Sequence, residues 1–393
     1  MKYRTDIKSD NQLSIIGFGC MRFPRNMTRI DLRRTDQLIV KAVEEGVNYF
    51  DTAFSYSGSE EVLGQIIANN NLRDKIYLAT KMPYPKCKKY DDFESLFQTQ
   101  LTRLKTDYID YYLIHCLIDT NAWKTVCGLG IEKWIQEKKA SGQIKNIGFS
   151  FHGKHHDFLE LLDVYDWDFC QIQYNYLDVN YQAGMEGLKQ AFAKGLPVII
   201  MEPLLGGRLA AGLPKKAVHT FKTANASLTP AAWAFRWLWN QKEVTVVLSG
   251  MSEMSQLEEN IKTAENAVPD MLTKKEDDTL ASVLKIIKDA YKIPCTGCNY
   301  CMPCPQNVNI PACFSAYNTW YAIGRYDGLK QYVTSTGILH PSKNFGASNC
   351  IACGACEKKC PQHIPVIQSL KAVERKMEPF WIKAILKIYL RRD

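Results

Sequence analysis

The sequence predicts an α/β protein, a (β/α)8 TIM barrel followed by a small, mainly α-helical module. Two observations predict the barrel. Short apolar runs rich in β-branched and aromatic residues alternate with stretches of helical period, eight times before about residue 265. The first run also lacks the glycine pattern of a doubly wound dinucleotide fold, since "GFGCMRFP" offers only Gly17 and Gly19. The third observation predicts the module: nine of the 14 cysteines follow residue 294.

The strand candidates, in order, are "LSIIGFG" from Leu13, "NYFDTA" from Asn48, "IYLATK" from Ile76 and "YIDYYLIH" from Tyr108. They continue with "IKNIGFS" from Ile144, "FCQIQYN" from Phe169, "LPVIIME" from Leu196 and "VTVVLSG" from Val244. Helical patterns such as "IEKWIQEKKASGQ", with Gly142 as a stop, separate them. This alternation implies a parallel sheet with right-handed crossovers. The stretch "VPDMLTKKEDDTLASVLKIIKDAYK" reads as a helix leaving the barrel. The expected spans are therefore a barrel over 1–275, a connecting helix over 276–290, the cysteine-rich module over 291–375 and a basic amphipathic helix over 376–393.

Composition narrows the function classes. A hydrophobic content of 46% with 23% charged residues is that of a globular chain with a sizeable core. The N-terminus shows no secretory pattern and no stretch is long and apolar enough to span a bilayer, so a cytoplasmic enzyme is expected. The net charge of +8 is concentrated in the tail, where residues 291–393 hold 13 Lys or Arg against 5 Asp or Glu. No recognition motif accompanies that charge, which argues against nucleic acid as the partner. In "FWIKAILKIYLRRD", Lys383, Lys387 and Arg391 fall four apart beside an apolar face. Packing or lying on a membrane surface are the readings of that segment.

Chemistry in a barrel of this kind sits where strands end. The second run ends in "DTAFSY", with Asp51 and Tyr56; the third ends at Lys81 and the fourth at His115. A carboxylate, a phenol, an amine and an imidazole would thus meet at one mouth. A buried Lys beside a Tyr favours phenolate and is expected to lower the phenol's pKa, while an adjacent Asp keeps the Lys charged. A neutral His can hydrogen-bond a substrate oxygen. Together they suit a general acid that protonates a carbonyl oxygen. Taken singly, Lys81 and Asp51 could be a structural ion pair, and His115 a core histidine. After the fifth run, "FHGKHHDF" places His152 near the mouth and His155 and His156 at a helix start; Glu202 ends the seventh run as a substrate contact or second buried acid.

The tail carries two cysteine runs. Cys295, Cys298, Cys301 and Cys304 precede Pro305, and Cys350, Cys353, Cys356 and Cys360 precede Pro361. The second run has the spacing of bacterial ferredoxins; the first is one residue shorter before its last cysteine. Two-residue gaps let a tight loop present three thiolates to one face of a cluster, and in two-cluster ferredoxins the fourth ligand comes from the other run. One [4Fe–4S] cluster is therefore expected on Cys295, Cys298, Cys301 and Cys360, and a second on Cys350, Cys353, Cys356 and Cys304. Zinc is the alternative, but paired CxxC motifs separated by longer loops are its usual pattern. Cys313 reads as a packing residue. An oxidised cluster carries about −2, so the basic excess would offset cluster charge or form a docking face for an acidic electron carrier.

"FDTAFSYSGSEEVLG", "LATKMP" and "DYIDYYLIHCL" resemble, in order and spacing, the three signature regions of the aldo/keto reductase family, with the likeness running over about residues 5–265. The resemblance implies a catalytic tetrad of Tyr56 (proton donor), Lys81 and Asp51 (tuning its pKa) and His115 (orienting the carbonyl), with hydride from NADP(H) or NAD(H). It implies that Ser150 and Gln171 hold the nicotinamide carboxamide. Phe151 stands where the family usually has Asn, and Met201 where it usually stacks an aromatic. "SGMSEMSQLEEN" resembles the adenosine-phosphate segment, which implies contacts from Gly250, Ser252, Gln256, Glu259 and Asn260. Gln256 replaces the Arg that many NADP-using members place on the 2′-phosphate, and Arg208 is expected to help with phosphate. The tail resembles the helical ferredoxin-like domains of multi-subunit dehydrogenases, and the whole chain the iron–sulfur aldo/keto reductases. The implied function is reduction of a small-molecule carbonyl, or oxidation of an alcohol. Because hydride moves two electrons and clusters one, a flavin in the nicotinamide site with a ferredoxin or flavodoxin-like carrier as partner is the variant reading. An electron-transfer or redox-sensing protein whose barrel is a binding module is the other.

Overall fold

A computed structural model describes every residue except 28, 296, 298–299, 339–343, 361 and 381–393. Most of the expected C-terminal helix thus lies outside the described residues. The chain divides into two compact units, one of Met1–Gly206 with Ala231–Thr273, the other of Gly207–Pro230 with the chain from Lys274 onward.

The first unit is a closed parallel barrel of eight strands: β1 (Ile16–Gly19), β2 (Tyr49–Asp51), β3 (Tyr77–Met82), β4 (Ile109–Leu117), β5 (Ile144–Phe151), β6 (Phe169–Gln173), β7 (Val198–Met201) and β8 (Val244–Ser249). Each expected run supplies one of them. The first is shorter than its apolar run, because Gln12–Ser14 instead pairs antiparallel with Tyr3–Thr5. The guanidinium of Arg4 in that hairpin donates to the carbonyls of Trp239 and Val244 and, at 2.7 Å, to that of Gln241. This ties the hairpin to the start of β8.

Strand periodicity decides what fills the barrel. Inward positions alternate, so Tyr49, Ala79, Tyr111, Leu113, Phe169, Ile199, Val246 and Leu248 form one interior cluster. Gly17 completes that layer by having no side chain: a Cβ there would lie 2.8 Å from Leu248 and 2.9 Å from Val246. One inward step further along the same strands come Asp51, Lys81, His115, Ser150, Gln171 and Met201. The packed floor and the polar layer above it are thus one pattern read at two depths.

A second, larger core lies between the barrel and its helices and includes Leu63, Ile67, Phe97, Trp134, Phe149 and Trp167. The helices Ser59–Asn69 and Tyr90–Leu104 approach closely at Gly64, where a Cβ would fall 2.2 Å from the carbonyl oxygen of Arg103.

In the second unit, Lys215–Ala224 packs on Lys274–Asp289. That first helix lies inside the expected barrel span of 1–275, and its apolar residues Ala217 and Phe221 are buried. Three further helices, Ile310–Ala322, Arg325–Thr336 and Val366–Met377, enclose a core containing Val308, Phe314, Tyr332, Ile364, Leu370 and Val373. No strand occurs among the described residues of this unit, so it is helical as expected.

Candidate functional site

The polar layer of the barrel gathers Asp51, Tyr56, Lys81 and His115. Lys81 Nζ donates to Asp51 Oδ1 at 2.5 Å and to the carbonyl of Thr52 at 2.8 Å. Gln171 Nε2 donates to the other carboxylate oxygen of Asp51 at 2.8 Å. The Tyr56 ring centroid is 5.0 Å from Lys81 Nζ, and the His115 ring meets it edge-on at 6.1 Å. Lys81 and Asp51 are only 1% and 3% exposed. Register explains the convergence: Asp51 pairs with Ala79, two residues before Lys81, and Lys81 pairs with Leu113, two residues before His115. A shift in the β4–β5 register between Ile114 and Leu117 bends the strand at His115. Beyond it Cys116 takes φ +61° and its amide donates to Ser150 Oγ at 2.8 Å.

Electrostatics set the protonation states. Burial alone would lower the Lys81 pKa, but the Asp51 carboxylate and Tyr56 outweigh it and the amine is held charged. Burial pushes the Tyr56 phenol up; the Lys81 charge and hydrogen bond oppose that rise without cancelling it. The expected lowering of the phenol is therefore a partial counterweight, not the net effect. Burial, then the Lys81 charge and His152, push His115 down to about 3, so its imidazole is neutral at physiological pH. Charged amine, protonated phenol and neutral imidazole make a proton donor with an oriented neighbour.

Beneath Lys81 lies a buried network absent from the sequence expectations. Gln100 Nε2 donates to the Lys81 carbonyl at 3.1 Å, to Thr80 Oγ1 at 3.0 Å and to Glu60 Oε1 at 2.7 Å. Thr80 and Arg103 also bond Glu60, and Tyr112 donates to Gln100 Oε1 at 2.6 Å. The only trace in the sequence is an acidic residue on the apolar face of "SEEVLG".

The expected cofactor contacts separate into groups. Ser150 and Gln171 lie in the polar layer, bonded as above, and Met201 ends β7 beside the interior cluster. Gly250 and Ser252 follow β8. Gln256 Oε1 accepts from the amides of Ser252 at 2.9 Å and Glu253 at 3.3 Å, capping the helix Met254–Ala264. Asn260 Nδ2 donates to Ser249 Oγ at 3.2 Å, and Glu259 lies in the same helix. Arg208 falls in the second unit, where its Nη1 donates to Gln331 Oε1 at 3.2 Å. His152 stays near the tetrad, its pKa lowered chiefly by burial, while Glu202 and a hydrogen bond with Gln182 act against that. His155 bonds the Ala183 carbonyl at 2.9 Å.

In the second unit, Cys295, Cys301, Cys304, Cys350, Cys356 and Cys360 are partly buried against a single core; Cys353 is exposed and Cys298 lies outside the described residues. No three His, Cys, Asp or Glu among the described residues group as for a single metal ion. Soft thiols are the donor set an iron–sulfur cluster takes, and cysteines of both runs packed against one core fit that group. Cys313 is buried in the core, its thiol pushed up to about 12 by burial.

The two runs repeat each other in structure. Each is entered beneath a buried polar anchor: Asn318 bonds the backbone of Lys292 and Ile293 at 2.7–3.0 Å, whereas Glu378 accepts from Ser348 N at 3.1 Å and Tyr332 accepts from Ala347 N at 2.7 Å. Tyr332 itself donates to Glu378. Each run is followed in sequence by Pro-Gln and a left-handed residue, Asn307 at φ +55° or His363 at φ +49°, and then by a buried Val308 or Ile364 two residues ahead of the helix Ile310–Ala322 or Val366–Met377. The repeated "CPQ" was the sequence signal for this.

The comparisons with known proteins match these two parts. The aldo/keto reductase family matches residues 15–279, and a 4Fe-4S dicluster domain matches residues 294–364. Among curated proteins, an uncharacterized oxidoreductase of Bacillus subtilis, YqkF, is 26% identical over 72% of this chain and 96% of its own. The methylglyoxal reductase YeaE of Escherichia coli is 28% identical over 55% of this chain and 74% of its own. Among solved structures, the holo form of the aldo-keto reductase AKR11C1 of Bacillus halodurans superimposes with a TM-score of 0.58 at 25% identity, covering 72% of this chain and 96% of that one. No helix among the described residues is long and apolar enough to cross a membrane. The chain belongs to the aldo/keto reductase family, an oxidoreductase barrel joined to a 4Fe-4S dicluster domain.

Proposed function

We propose that the protein is a cytoplasmic carbonyl reductase, working in reverse as an alcohol dehydrogenase, with a Tyr56 proton donor, a nicotinamide dinucleotide and two [4Fe–4S] clusters. The observation that carries this reading is the buried 2.5 Å Lys81–Asp51 contact beside Tyr56 and His115. Nicotinamide, when bound, supplies hydride. Tyr56 then delivers its proton to the carbonyl oxygen, and the charged Lys81 stabilises the phenolate left behind. Asp51 keeps Lys81 charged and is itself fixed by Gln171. The neutral imidazole of His115 donates to the same carbonyl oxygen and aims it at Tyr56. Ser150 and Met201 border the dinucleotide in this reading, with Gly250, Ser252 and Asn260 toward its adenosine end. The name of YeaE, a methylglyoxal reductase, agrees with a small carbonyl substrate.

The clusters, when bound, exchange single electrons. Cys295, Cys298, Cys301 and Cys360 would hold one, and Cys350, Cys353, Cys356 and Cys304 the other. A ferredoxin or flavodoxin-like protein would be the carrier that meets them. The test is Tyr56→Phe in anaerobically purified protein. Carbonyl reduction with NADPH or NADH should fall about 100- to 10,000-fold in kcat while dinucleotide affinity holds. Activity undiminished by the change rules out Tyr56 as donor. Iron analysis should return about eight atoms per chain.

A further inference from the structure

The second unit displays cations on a bed of aromatic rings. Helix Ile310–Ala322 contains no charged residue, but Tyr317, Trp320 and Tyr321 share one of its faces, Tyr321 exposed and the other two half-buried. Three cations gather there. Lys292 Nζ lies 5.4 Å from the Tyr321 ring centroid. Lys376 Nζ, from helix Val366–Met377, lies 5.3 Å from Trp320 and 6.0 Å from Tyr321. Arg375 precedes it, and its charge bears on Tyr317, whose hydroxyl is 3.4 Å from that of Tyr321. Lys292, Arg375 and Lys376 are all exposed.

Among the described residues, no carboxylate forms an ion pair with any of these three. Cations on the barrel unit differ: Arg34 pairs with Glu253 at 2.7 Å, Lys41 with Glu45 at 2.6 Å and Lys139 with Asp168 at 2.6 Å. A ring face holds a cation in place without cancelling its charge. The patch is thus positioned and still positive. It also adjoins the first cysteine run. Asn318, between Tyr317 and Trp320 in the helix, accepts from the amides of Lys292 and Ile293 and donates to the Ile293 carbonyl at 2.7 Å. The amide of Cys295 donates to that same carbonyl at 2.8 Å. One peptide oxygen therefore joins the aromatic helix to the first thiol of the run.

We propose that Lys292, Arg375, Lys376 and Tyr321 form the docking face for an acidic one-electron carrier protein, so that electrons enter at the cluster of Cys295, Cys298, Cys301 and Cys360. This rests on the cluster reading above. One electron passes from the reduced carrier, which is oxidised, to that cluster, which is reduced; no bond forms or breaks. Unpaired cations steer an acidic partner toward the face. The tyrosine supplies the flat contact area that interfaces favour.

The test uses full-length, anaerobically purified protein with its iron measured, and an acidic bacterial flavodoxin as the probe. Calorimetric titration reads the flavodoxin Kd, and stopped-flow absorbance reads cluster reduction by its hydroquinone. The triple variant Lys292→Glu, Arg375→Glu and Lys376→Glu should raise that Kd and slow that reduction about 10- to 100-fold. The wild-type advantage should shrink as KCl is raised. Reduction by dithionite, which needs no docked protein, should persist. A control with the same change of net charge, Lys222→Glu, Lys275→Glu and Lys285→Glu on two other helices, should keep the wild-type Kd within about threefold. All six positions are exposed, so circular dichroism of both variants should match wild type. With iron in place, a flavodoxin Kd unchanged in the patch variant overturns the inference alone, as does an equal loss in the control, or wild-type protein that binds no flavodoxin. Binding to phosphatidylglycerol vesicles that the patch variant loses while it keeps flavodoxin would assign the face to a membrane and overturn it too. Purified protein without iron overturns the cluster reading as well.

Discussion

The two units hold their reactive groups in opposite ways. In the barrel, strand register places Asp51, Lys81 and His115, and protein partners fix two of them: Asp51 is held by Lys81 and Gln171, Lys81 by Asp51 and Thr52, and the end of β3 by Gln100. In the second unit, polar anchors fix where the cysteine runs begin, at Ile293 and Ser348, and apolar residues fix where they end, at Val308 and Ile364. Between those points six of the thiols rest against the unit's apolar core. A group that must act on a passing substrate is best placed beforehand, whereas a ligand to a resident group can take its final position from that group.

This contrast can be broken most forcefully by removing iron. Anaerobic chelation should raise hydrogen exchange strongly across residues 291–308 and 347–365 while leaving β1–β8 protected. Equal loss in the barrel strands would show that the two sites are not separately organised. Next in size is Asp51→Asn, which leaves the buried Lys81 charge without its counter-ion. Breaking one partner of a buried pair costs about 3–5 kcal/mol, so the barrel's urea midpoint should drop while the iron content holds.

A smaller effect comes from His115. Its folded pKa of about 3 lies below its ordinary value near 6.5, so below pH 6.5 the unfolded chain binds a proton that the folded chain refuses. Its contribution to stability is complete above about pH 6.5 and is lost progressively as pH falls toward 3, by at most about 1.4 kcal/mol per pH unit. His115→Asn should flatten that part of the acid slope in urea unfolding. The smallest change is Glu253→Ala, which removes an exposed pair with Arg34 and one half of a capping box. Destabilisation of about 0.5–1.5 kcal/mol is expected.

The same contrast explains what the sequence could reveal. All eight strands and the convergence of Asp51, Tyr56, Lys81 and His115 were legible, because a closed parallel barrel converts position along a strand into depth in the barrel. Cysteine spacing was legible because ligand loops are short-range. What escaped were properties set by depth and by distant partners. Burial, which no pattern around Tyr56 encodes, pushes its phenol up despite Lys81. Gln256 aligns with a cofactor residue, yet a Glu253-x-x-Gln256 capping box engages it locally. Glu60 and Gln100 lie forty residues apart and meet only after folding. The helix Lys215–Ala224 carries an apolar face with nothing in it to name the core it joins.

That last helix has a practical consequence. Because the chain departs at Gly206 and returns at Ala231, a single cut cannot release an intact barrel unit from the rest. A stop after residue 273 would delete Lys274–Asp289 and strip the cover from Ala217 and Phe221, leaving an apolar stripe prone to aggregation. Freeing the barrel takes two edits, a terminal one and a replacement of 207–230 by a short link. The chain thus passes between the two compact units three times, so the second unit is joined to the first at more than its end.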